Sequence, residues 1–225
     1  TLGNEFGIST DEAAKLSIHV GDLAKSTGLA VDESAKLLGF LTETQGLTGE
    51  QAKDLVKSVT MLAKANKVAP DAVLRDIAQN TEVFAKFADK GGKNVMRAAI
   101  QAKKLGIGLD KVAGAAEGLL DFQSSLNAEV EASIMLGRNV NLQKARELAL
   151  AGDMSGMMDS ILQQVGGEQE FLAMNVLERK ALAGAVGLTA DKMAKLVGEH
   201  GKLNKQESFE DLLGRDAIDN ITKIT

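Results

Sequence analysis

Apolar residues along this chain recur at intervals of three and four, the period of a helix that buries one face. No strand-like alternation is sustained over five residues or more. The pattern predicts helices over roughly 10–26, 31–45, 49–66, 70–89, 93–105, 109–137, 142–151, 154–165, 168–186, 190–200 and 206–223. Two are the best patterned. Val73, Ile77, Phe84, Phe87 and Ala88 share one face of the fourth. Leu109, Val112, Ala116, Leu119, Leu126, Val130 and Ile134 mark a stripe along the sixth, a helix ~40 Å long. Gln123 and Ser133 interrupt that stripe. It suits either a coiled-coil seam or an ordinary packed bundle, and packing within one chain is the commoner use.

The breaks between helices share a phrase: Gly, an apolar residue, a capping residue, any residue, an acid. It occurs at Gly7–Asp11, Gly28–Asp32, Gly46–Glu50, Gly106–Asp110 and Gly187–Asp191, with looser copies at Lys67–Asp71 and Asn139–Gln143. Gly ends a helix in the left-handed conformation. The apolar residue can staple onto the next helix. Ser9, Thr48, Asn141 and Thr189 can accept a bond from an orphan N–H, and the acid meets the positive end of the helix dipole. Each phrase is therefore a tight helix–helix joint, and Pro70 sits at a first helical turn. The first three joints are evenly spaced and the later ones are not, which fits an irregular array of helical hairpins better than a solenoid. The expected fold is all-α: about ten short-to-medium helices joined by tight Gly-containing turns, with no sheet. The expected parts are a helical hairpin stack over 1–90, a central helical region over 91–205 and the start of a further helix over 206–225.

Composition changes this picture in three ways. The 225 residues are 44% apolar, enough for a real core, but hold seven Phe and no Tyr or Trp. The core must come from Leu, Ala, Val, Ile and Met, with modest stability expected. There is no Cys, which removes disulfides, thiol nucleophiles and thiolate metal sites. The net charge of −5 argues against a nucleic-acid binder, and no apolar run approaches the ~20 residues of a membrane span. Thr1 is not an initiator Met, and the spacing of Ile218, Ile221 and Ile224 runs to the last residues, so the chain reads as part of a longer one.

Candidate chemistry is sparse. His19 and His200 have no partner at metal-ligand spacing and read as solvated or capping residues. Gly91-Gly92-Lys93-Asn94 lacks the upstream Gly of a phosphate loop, since position 87 is Phe87, and reads as an interhelix break. Gly106-Ile107-Gly108 lacks the third Gly of a dinucleotide fingerprint, position 111 being Lys111. Glu117 and Asp121 share a helix face, but without Tyr or Trp for sugar stacking they read as a solvated surface. Gly114–Gly118 and Gly152–Gly156 suit close packing or breaks. Met154, Met157 and Met158, with Met135 and Met174 nearby, form either flexible core filler or an adaptable interface. No catalytic, cofactor or metal site is expected.

One stretch carries a resemblance. Residues 121–166, roughly a fifth of the chain, contain Leu126-Asn127-Ala128-Glu129-Val130-Glu131-Ala132-Ser133, Leu136-Gly137-Arg138 and Asn141-Leu142-Gln143-Lys144-Ala145-Arg146, with Asp153 at the next break. This resembles tail tape-measure proteins of contractile-tailed bacteriophages. The resemblance implies a long, mostly helical chain held in the tail tube, whose length sets tube length. It implies partners: further copies of itself, commonly three, baseplate hub and tail tube proteins, and the host envelope on ejection, but no sequence-specific nucleic acid. It implies a place in the virion, in the tail lumen or tip, after assembly in the host cytoplasm. A ruler would be one uninterrupted helix. The many joints instead predict a compact helical part that docks near the hub or folds after release. Docking is expected at Glu129, Glu131, Arg138, Arg146, Met154, Met157 and Met158. Arg138 and Arg146 suit either partner carboxylates or salt bridges within the chain. A small all-helical adaptor or protein-binding module is the competing reading.

Overall fold

The computed structural model describes residues 10–204, which contain thirteen α-helices, one 3-10 turn and no strand. They form two compact units, residues 10–100 and 101–204. The division falls ten residues beyond the expected one at 90. The expected helix at 206–223, its separate terminal part and the joint residues Gly7–Ser9 lie outside the described residues.

The first unit holds α1 (Thr10–Thr27), α2 (Val31–Gln45), α3 (Gly49–Ala65), α4 (Pro70–Gln79), α5 (Thr81–Phe87), the 3-10 turn Lys90–Gly92 and the first part of α6 (Lys93–Lys104). Helix α2 packs on α1, α3 and α4 around Leu37, Leu38, Leu41, Leu74 and Ile77. Phe40 meets Phe84 edge to face at 5.5 Å. Gly92, at φ 77°, lies directly under the Phe84 ring, where any Cβ would collide with the ring carbons. Gly91-Gly92 is thus an interhelix break, as its sequence suggested.

The second unit holds the end of α6, then α7 (Leu109–Leu120), α8 (Phe122–Leu136), α9 (Gln143–Leu150), α10 (Met154–Val165), α11 (Glu168–Ala173), α12 (Val176–Ala185) and α13 (Ala190–Asn204). Helix α7 packs against α8, α9 and α10; α8 packs most closely on α12. Leu109, Leu119, Leu142, Phe171 and Leu196 fill the centre. The Gly114–Gly118 face meets the α12–α13 joint: a Cβ on Gly187 would stand 3.4 Å from the Gly114 carbonyl oxygen. Small residues here let backbone approach backbone.

The joints form as their composition dictates. Gly28, Gly46, Gly106 and Gly187 are all left-handed, and Lys67 takes the same conformation (φ 57°) where the phrase lacks Gly. Ile107 and Leu188 each donate 2.9 Å backbone bonds to the carbonyls of Ala102 and Ala183, and Val68 does so to Ala63. These bonds close the preceding helices in the Schellman manner. Leu29, Ile107 and Leu188 are buried, as stapling residues should be. Thr48 caps α3 through the Gln51 N–H at 3.2 Å, with the Gln51 side chain answering at 2.9 Å.

Three predicted helices are each two. Helix 70–89 breaks at Asn80, 109–137 at Asp121 and 168–186 at Met174-Asn175. At two of the breaks a side chain caps the new helix: Asp121 accepts the Ser124 N–H at 3.3 Å, and Asn175 accepts those of Leu177 and Glu178. Asn80 instead donates to the Asp76 carbonyl at 2.7 Å. Short amide and carboxylate side chains compete with the helix for its own backbone groups, so they stop it where apolar periodicity alone would carry it on.

Candidate functional site

Helix α8 carries the centre of the resembling stretch, and it is amphipathic in an unusual sense. Its inward face is small and polar: Ser125 and Ala132 are its buried residues. Its large apolar residues point outward. Phe122, Leu126, Val130 and Ile134 are 50%, 48%, 58% and 75% exposed, and Met135 is 45% exposed. The 109–137 stripe therefore splits by location. Leu109, Val112, Ala116 and Leu119, on α7, are buried, whereas Leu126, Val130 and Ile134 form an open ridge of residues four apart.

Beneath the ridge lies a polar clasp. Glu129 Oε2 stands 2.7 Å from Arg146 Nη1 on α9, with side chains only 17% and 8% exposed respectively. The same carboxylate oxygen accepts the Leu142 N–H at 2.9 Å, and Arg146 Nη1 donates to Ser125 Oγ at 3.1 Å. Ser133 Oγ accepts the Val140 N–H at 3.0 Å and donates to the Glu129 carbonyl at 2.8 Å. Two side chains of α8 thus tie down the incoming backbone that Gly137 (φ 62°) turns toward α9. Asn141, one residue before the N-cap Leu142, accepts the Gln143 N–H through Oδ1 at 2.9 Å.

Arg138 faces the other way. Its Nη2 donates to the carbonyls of Gln164 and Val165, at 2.7 and 3.3 Å, and its Nε stands 3.6 Å from Glu170. It closes the C-terminal end of α10, where a cation is electrostatically favoured.

These positions correct the expected docking residues. Met154, Met157 and Met158 are buried in the core of their own unit and present no surface. Glu129 and Arg146 are held by one another, and Arg138 is engaged within the chain. Glu131 alone among the expected residues is open to solvent. The stripe that suited either a seam or an ordinary packed face is, beyond Asp121, an open ridge, and beside it lies a shallow groove of about 420 Å³ lined by Glu129, Val130, Ser133, Ile134, Gly137, Arg138, Asn139 and Val140. The apolar stripe continues past Asp121 on the face opposite Ser125, Glu129, Ala132 and Leu136.

Titratable groups gather elsewhere in the same unit. Gln101 Nε2 donates to Asp159 Oδ1 at 2.6 Å, while the buried Gln101 Oε1 has no hydrogen-bond partner. Desolvation holds the Asp159 carboxyl above its ordinary value of 3.8, against the opposing pull of Gln101 and His200, with Asp153 adding a small push upward. Burial also lowers His200 from 6.5, and the Asp159 charge opposes that shift. In the first unit, His19 Nε2 stands 3.6 Å from the exposed Glu50 beside a cleft of about 470 Å³ at the Gly46–Glu50 joint. Among the described residues no three His, Asp or Glu converge as metal ligands, and no helix is long and apolar enough to cross a membrane.

No protein-family model, no curated protein and no solved structure matches this chain.

Proposed function

We propose that this chain is a compact helical part of a phage tail tape-measure protein. It acts in tail assembly by docking, at the baseplate hub or in the tail tube, and so contributes to tail-length determination and DNA ejection. The observation that supports this reading is a coincidence of place: the stretch that resembles tape-measure proteins, 121–166, spans α8 to α10 and carries the open apolar ridge Phe122–Ile134. Exposed apolar surface in one contiguous strip is a mark of protein association. The test is the intact mass of the native parent chain in purified particles. A mass several times 23.7 kDa, in a tail fraction, is the expected result. A parent near 23.7 kDa, absent from any particle, overturns it and leaves a small helical adaptor as the better reading.

A further inference from the structure

We propose that the acidic segment 206–223 docks as a helix along the basic face of α6, antiparallel to it. The inference stands apart from the phage reading, because it uses only charge and the path of the chain. Charge comes first. Helix α6 holds Lys93, Arg97, Lys103 and Lys104 and no acid, in a chain whose net charge is −5. At 3.6 residues per turn, Lys93, Arg97 and Lys104 fall within about 40° of one another. They make one half-buried strip, with the buried Ile100 and Gln101 on either side.

The segment is complementary to that strip. Residues 207–219 hold five acids against the single base Arg215. In the helix that the sequence predicts over 206–223, Phe209, Leu213, Ala217 and Ile221 recur every four residues, and Glu207 and Asp216 fall on the two flanks of their stripe. An apolar stripe flanked by carboxylates suits a strip of long cationic side chains. Their methylene stems cover the apolar residues while their charged heads meet the acids.

The chain path brings the two together. Gly106 follows the C-terminal end of α6, and the Glu199 side chain of α13 stands 3.6 Å from where a Gly106 Cβ would lie. On the same side, Gln101 of α6 holds Asp159, whose charge acts on His200 of α13. The described part of α13 ends at Asn204, five residues after Glu199 and about 7.5 Å along the helix. Residues 205–208 can span ~14 Å more, so the segment starts within reach of Lys104. It then runs back toward Lys93, which sets the two helix dipoles in opposition. The twelve residues of α6 measure ~18 Å, and the predicted helix, at ~27 Å, covers them all. Tethering by the chain gives an effective concentration near the mM range, so several weak surface pairs suffice to hold the segment. A separate acidic partner lacks that advantage.

Carbodiimide cross-linking of the full 225-residue chain, read by peptide mass spectrometry, tests the contact. The reagent condenses a lysine amine with a carboxylate it touches and takes up the water as a urea. The expected products join Lys93 or Lys104 to acids of 207–219. A mixture of isotope-labelled and unlabelled chains should give them without mixed pairs, since the contact lies within one chain. The Lys53–Glu50 pair, at 3.9 Å, is the internal standard. Hydrogen exchange supplies a second readout. With Lys93→Glu and Arg97→Glu together, the amides of 206–223 should exchange at least ~tenfold faster. Adding Glu207→Lys and Asp216→Lys should restore their protection. Lys57→Glu with Lys64→Glu, exposed on α3, should leave it unaltered. Unchanged exchange across α7 in each variant separates undocking from unfolding. Acids of the segment that join only other lysines, or none while the standard forms, overturn the proposal. So do mixed-isotope products, which would point to a second copy, and exchange indifferent to the α6 substitutions. A small parent mass would remove the phage reading and leave this contact standing, so the two failures are distinguishable.

Discussion

Replacing Arg146 with Met isolates the clasp beneath α8. The substitution keeps most of the buried volume and removes the cation. Glu129 then retains its bond to the Leu142 N–H but loses its 2.7 Å partner in a site where its side chain is only 17% exposed. Breaking one side of a buried pair costs ~3–5 kcal/mol, and the residual exposure and surviving bond place this case at about 3 kcal/mol. Glu129→Gln removes the charge opposite Arg146 and leaves it Ser125 and at most a neutral amide oxygen, a cost of about 2 kcal/mol. The double variant has no buried charge to strand. It should be less destabilised than the sum of the two by ~1–3 kcal/mol, the usual coupling of contacting groups. The assay is urea unfolding followed by far-ultraviolet circular dichroism, with thermal melting as a second readout. In a unit of roughly 100 residues a loss of ~3 kcal/mol lowers the melting temperature by about 12 °C or more. Single costs below ~0.5 kcal/mol, or costs that simply add, would refute the claim that this pair holds α8 to α9.

Two further outcomes follow from the same geometry. Gly92→Ala would set a Cβ into the Phe84 ring at a backbone φ of 77°; a destabilisation of about 2–4 kcal/mol is expected in thermal melts, and a neutral result would show that the α5–α6 turn repacks freely. For Asp159 the folded-state pKa lies above the unfolded one, so its contribution is fully present below 3.8 and is lost as pH rises through the raised value. Asp159→Asn should therefore stabilise the chain near neutral pH, by under ~1 kcal/mol because the residue remains solvent-accessible. That gain should vanish in acid; equal urea midpoints for both chains at neutral pH would count against it. His200, lowered by burial, acts in the opposite sense: its contribution is present above 6.5 and is lost as pH falls through its lowered value.

The joints were the legible part of this chain because their signals are local. A left-handed Gly, a stapling apolar residue and a hydroxyl cap act within six residues, and the ends of α2 and α10 fall where they were expected. The breaks at Asn80, Asp121 and Asn175 were legible in principle, but apolar spacing continues across each and outweighed one polar residue. The site was harder, because exposure is a property of packing. Nothing in the spacing of Leu126, Val130 and Ile134 distinguishes them from Leu109, Val112 and Leu119; what differs is that α9 and α10 cover α7. Arg146 and Glu129 looked like partner-facing charges for the same reason. They are seventeen positions apart, and only the turn at Gly137 brings them together.

The short helices have a mechanical meaning as well. None of the described helices exceeds the eighteen residues of α1, and a cap or a joint interrupts the rods at every end, so a pull along the chain meets small elements in series. Load on such a chain is borne by the weakest closure and released in instalments. The Glu129–Arg146 clasp bridges seventeen positions, so its rupture frees a contour of ~60 Å at about 3.5 Å per residue. The clasp is one closure in that series, beside the Ser133–Val140 bond and the packing of α8 on α12.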